Sequence, residues 1–125
     1  MNIQEAIAIH LLAIPALDTI VSDRIYRGRL PKNQTIKPPH IIIWLLSKTR
    51  INDHDGYSGV TEATLQISCF SHDPDEVNSM ATLVRESLES WSDVIDVFFE
   101  DESDGFEEAT AVYHIPLDFK ISYHE

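Results

Sequence analysis

The sequence predicts an α+β fold: one mainly antiparallel sheet of about four strands, with two main helices packed on one face, in the order helix, hairpin, helix, hairpin. Three stretches carry that prediction. From Ala63 to Cys69, apolar Ala63, Leu65, Ile67 and Cys69 alternate with polar Thr64, Gln66 and Ser68. This period of two marks a strand with one buried face. The segment from Asp73 then carries Val77, Met80, Ala81, Val84 and Leu88 on one helical stripe. The C-terminal stretch alternates again, with Ala111, Tyr113, Ile115, Leu117, Phe119, Ile121 and Tyr123 on one side.

Taken in order, residues 2–14 read as a helix capped by Asn2, with Ile3, Ala6, Ile7, His10, Leu11 and Ile14 on one stripe. Pro15 stops it and begins a second short turn. His10 reads as a core-edge histidine. Arg24 to Arg27 alternates charge and bulk, as a short edge strand does. Gly28 to Pro39 reads as a loop closed by Pro38-Pro39. His40 to Leu46 is the most hydrophobic run, and its β-branched content predicts a central strand buried on both faces. Lys48 to Gly59 is polar and predicts a long, mobile hairpin loop.

Asp73-Pro74-Asp75-Glu76 is a helix start. Asp73 can cap, Pro74 suits the first helical position, and Glu76 can reach back three residues. After this helix Asp93 restarts the sheet. Ile95, Val97 and Phe99 point one way, and Asp96, Phe98 and Glu100 the other. Asp101 to Gly105 reads as a turn. Pro116 lacks an N–H, which predicts an edge or a bulge at that point of the last strand.

The 125 residues, 43% hydrophobic, suit one domain spanning 1–125. No apolar run approaches a membrane span, and the N-terminus lacks the basic region of a signal peptide. A protein kept in a cytoplasm, without a membrane partner, is the expectation. The single Cys69 excludes an internal disulfide and reads as a buried small hydrophobe. The net charge of −12 argues against a simple nucleic-acid binder. Its distribution is uneven. Residues 1–50 hold seven basic groups against three acidic ones, a net +4, and residues 51–125 hold two against 18, a net −16. Such asymmetry suits two opposed surfaces.

Catalytic signatures are missing. There is no phosphate loop, G-x-S-x-G, H-E-x-x-H or paired CxxC. Cys69 and His72 are too few ligands for zinc. The acids from Glu100 to Glu108 lack the EF-hand pattern and read as a solvated hairpin tip. Ser58, Ser71 and His72 have nothing to bring them together. An enzyme with a small-molecule substrate is not expected.

Asp23-Arg24-Ile25-Tyr26 after an N-terminal helix, then Leu30-Pro31, then proline before a hydrophobic strand, resemble the tail-completion (tail-to-head joining) proteins of long-tailed phages and prophages. The Gly56–Gly59 loop, Leu65 to Phe70 and the next helix look like that family's middle. Tyr113-His-Ile-Pro-Leu-Asp-Phe119 is similar to its closing strand. The likeness spans nearly the whole chain. His40 behind a double proline and the heavy acidic stretch depart from it. The resemblance implies a structural virion protein, made in a bacterial host and located at the head–tail junction. It implies a homo-oligomeric ring, commonly a hexamer, that terminates the tail tube. The partners it implies are the major tail tube protein and the head–tail connector protein. It also implies DNA passing through the lumen without specific binding, and no cofactor.

A ring needs a patch that meets a different patch on the next subunit. The sequence offers Arg27, Arg29, Lys32 and Lys37 on the basic side, and Asp101, Glu102 and Asp104 on the acidic side. Two other functions compete: an acidic DNA mimic that inhibits a nucleic-acid enzyme, and a small enzyme. The mimic needs charges spread over a convex face. The enzyme needs a pocket with convergent polar groups.

Overall fold

β3 (Gly56–Ser71) runs through the middle of the sheet in a computed structural model that describes residues 1–28 and 37–125. Before it come α1 (Ile3–Leu12), α2 (Pro15–Val21), β1 (Ile25–Arg27) and β2 (His40–Asp53). After it come α3 (Pro74–Glu89), β4 (Asp96–Glu102), β5 (Gly105–Glu107) and β6 (Val112–His124). The strand order is β1-β2-β3-β6-β4, with β5 also paired to β6. All pairs are antiparallel except β1–β2, which is parallel. The predicted α+β class holds. Among the described residues, the predicted four strands and two helices become a mixed sheet of six strands and three helices.

The core lies between the helices and one sheet face. Ala63, Leu65, Ile67 and Cys69 of β3 meet Leu117, Phe119, Ile121 and Ile115 of β6 there, all buried. The full predicted stripe of α3 is buried on them, as are Ile3, Ile7 and Leu11 of α1. Each fully buried aliphatic side chain contributes roughly 1.5–3 kcal/mol. His10 is a core-edge residue: its Nε2 donates to the Ser87 carbonyl at 3.0 Å and its ring stacks on Trp91.

Several local expectations change. The helix read over 2–14 ends at Leu12, and Ile14 is the N-cap of α2, with Pro15 in that helix's first turn. Asn2 does cap α1, accepting the Glu5 N–H. Asp73 caps α3 by accepting the Asp75 N–H at 3.0 Å. Glu76 does not reach back to the Asp73 N–H. It accepts from the Ser71 hydroxyl, whose oxygen accepts that N–H instead. The long loop read at Lys48–Gly59 is mostly strand. Pairing continues to Asp53 and Gly56, and Ser58 and Gly59 form a bulge opposite Ile51–Asn52, where Gly59 has φ +87°. β2 is buried on both faces only from His40 to Ile43. At the Leu45/Ser47 register shift Leu46 is turned out to solvent.

The largest correction concerns residues 101–105, read as a turn. Glu102 pairs with Leu117 and Gly105 with His114, so the register is the same on both sides of Ser103–Asp104. β4 and β5 are one edge line, interrupted at two residues. Pro116 faces the interruption. Its carbonyl accepts the Ser103 N–H at 3.3 Å, so its ring nitrogen points to the same side. Pro116 is therefore in an interior strand without a bulge toward β3, where it pairs with Ser68. Its missing donor is absorbed by a break in the neighbouring edge instead. The real turn follows β5, where Ala111 takes φ 55°.

Candidate functional site

The two charged surfaces lie at opposite ends of the sheet. β1 forms one edge and carries Arg27, which is exposed. Lys37 is exposed just before β2. Arg29 and Lys32 lie outside the described residues. β4–β5 forms the other edge, and Asp101, Glu102 and Asp104 are all exposed there. Three strands separate the edges, so they are roughly 19 Å apart at about 4.8 Å per strand. Arg27 and Asp101 cannot pair within one subunit.

Those of these groups that lie among the described residues have local partners as follows. Arg27 approaches Glu5 at 3.8 Å, with both side chains about half exposed. Glu102 lies 3.7 Å from Arg85, which also meets Glu89. Asp101 accepts the Glu102 N–H. Such exposed pairs contribute at most about 1 kcal/mol. Arg24, beside the basic edge, is pinned instead: its Nε donates to the Pro39 carbonyl at 2.8 Å and its guanidinium also reaches the Ile20 carbonyl.

An apolar groove of about 380 Å³ opens next to the acidic edge, between the first turns of α3 and β5. Phe106 forms its outer wall, 51% exposed and tilted against Tyr113 at 4.6 Å. Sequence reasoning passed over Phe106. The available signal was an aromatic residue set inside a run of acids.

The groups considered for chemistry are engaged elsewhere. Burial pushes the Cys69 thiol up to about 12, with Glu102 adding to the shift. The ring of His72 is held against the Ala111 carbonyl, 3.0 Å from Nδ1. Ser58 Oγ donates to the Ile51 carbonyl, and Ser71 Oγ to Glu76. Among the described residues, no group of three His, Cys, Asp or Glu is placed to hold a metal.

A family model described as Tail completion protein gp17 matches residues 5–124. The chain belongs to this family. It is a structural protein of a phage-like virion, located at the tail. A chain of the solved structure "Virion of native gene transfer agent (GTA) particle" has the same fold, with a TM-score of 0.79 over 98% of this tail completion protein and 94% of that chain, at 16% identity. No curated protein matches the chain.

Proposed function

We propose that this tail completion protein assembles into a ring, a hexamer, at the head-proximal end of the tail tube. There it stops tube growth and joins the tail to the head connector, with DNA passing through the lumen. One observation carries the reading: a basic edge and an acidic edge lie at opposite ends of one sheet. A subunit with unlike, complementary edges makes heterologous contacts, which generate a ring when the rotation closes. Arg27, Arg29, Lys32 and Lys37 of one subunit face Asp101, Glu102 and Asp104 of the next. The acids follow a sheet edge, not a convex face, which favours assembly over mimicry of DNA. The remaining acidic side chains line the lumen and keep passing DNA from sticking. A lumen lined by lysine and arginine would overturn that last point.

Reversing Arg29 and Lys32 to Glu tests the contact, with mass read by light scattering at low salt. The expected result is loss of the assembled species. Restoration follows when Asp101 and Asp104 are changed to Lys in the same chain. Assembly unchanged by the reversal would sink the proposed contact.

A further inference from the structure

We propose that the groove beside Phe106 seats an apolar side chain from the basic-edge surface of a second copy of this chain, and that this seat holds the subunits together. The inference rests on the ring reading above and supplies what that reading lacks. Exposed charges steer partners and set their register, but contribute little to holding them. Stable contacts depend on a few desolvated aromatic or aliphatic anchors within a polar rim.

The acidic edge has that arrangement. Phe106 is 51% exposed although it lies on the helix-side face of the sheet, where its neighbour Ile115 is buried and Tyr113 half-buried. Its ring and Val77 of α3 leave an open groove between them. Asp104 lines the same groove, and Glu107 and Glu108 follow directly in sequence, all exposed. The charged group in the groove lining is thus acidic, Asp104, set beside neutral Asn78, and the edge that carries the seat is acidic along its length, with Asp101, Glu102, Glu107 and Glu108 exposed. Its complement must be a positive surface that carries an apolar residue. The first half of the chain is net positive and exposes Lys37 and Arg27, the latter beside Glu5, whereas the second half has only Arg85 and Lys120 to offer. A second copy, docked by its basic edge, is the occupant that the charges select. Exposed aromatic groups on a sheet edge are otherwise an aggregation hazard. Here the acids admit only a basic partner.

Two variants test the seat, with mass followed by light scattering across a protein dilution series. Phe106→Ala removes the wall, and Asn78→Trp fills the groove mouth from α3 without removing a wall. Both positions are exposed or on the groove rim, so circular dichroism and the melting temperature should match the parent. Each variant should need a roughly thirtyfold higher concentration to assemble, the size expected for an interface anchor. Phe106→Leu should recover most of the loss. Parent-like assembly by both Phe106→Ala and Asn78→Trp overturns the seat and leaves the charge-directed ring standing. A parent protein that stays monomeric at every concentration and at low salt overturns the ring reading itself, and the seat with it.

Discussion

His40 is a polar residue in an apolar setting, 5% exposed at the start of β2. Its ring stacks on Phe70 at 4.6 Å, and Phe70 stacks on His114 at 4.3 Å, forming an aromatic row across three strands. The row follows the register, in which His40 pairs with Phe70 and Phe70 with His114. His40 Nδ1 has no hydrogen-bond partner. Burial lowers the His40 pKa from 6.5 to about 4, with the charges of Arg24 and His114 acting in the same direction. The folded pKa therefore lies below the unfolded one, and as pH falls the unfolded chain takes the proton first. The part of the stability that depends on neutral His40 is present above pH 6.5 and is lost between 6.5 and about 4, by up to about 3 kcal/mol. His40→Phe keeps the stack and removes the titration. Denaturant melts at a series of pH values should show a shallower acid loss for this variant within that window. Parallel losses for variant and parent would count against the assignment.

The strand–helix unit of β3 and α3 is the element most legible in the sequence, because its signals are local. Alternation over Ala63–Cys69 and a stripe at helical spacing are set by the geometry of each element alone. The cap is equally local. Asp73→Ala removes the acceptor for the Asp75 N–H and should lower the unfolding free energy by about 1 kcal/mol, measured by denaturant titration. An unchanged midpoint would show that Ser71 and Glu76 hold this end unaided. The edge line β4–β5 was not legible, because its path depends on a distant residue. Asp101, Ser103, Asp104 and Gly105 have turn chemistry, and nothing nearby indicates that they remain beside β6. The gap in their pairing lies opposite Pro116, which lacks the donor that would close the ladder there. Phe106 escaped notice for the same reason. It reads as a residue after a turn until the register places it on an edge beside α3.

At the scale of the whole molecule, the sequence showed the charge asymmetry but not its geometry. The sheet order turns a basic half and an acidic half of the chain into two edges facing opposite ways. In the proposed ring each subunit would present its basic flank to its neighbour's acidic flank, a long-range attraction that acts before any contact forms. Its reach is the screening length, roughly 30 Å at 0.01 M salt but only about 3 Å at 1 M. Steering of this kind raises association rates by about 10- to 1,000-fold. The apolar seat at Phe106 is short-ranged and is not screened. The two contributions should separate kinetically. Stopped-flow scattering after mixing dilute subunits should show association slowing at least about tenfold as salt rises from about 0.01 to 1 M. Dissociation of preformed assemblies should change much less, because it depends on the desolvated anchor. Phe106→Ala should do the reverse, speeding dissociation while leaving the salt dependence of association intact. If salt instead acts mainly on dissociation, the charges are the glue and the groove is incidental.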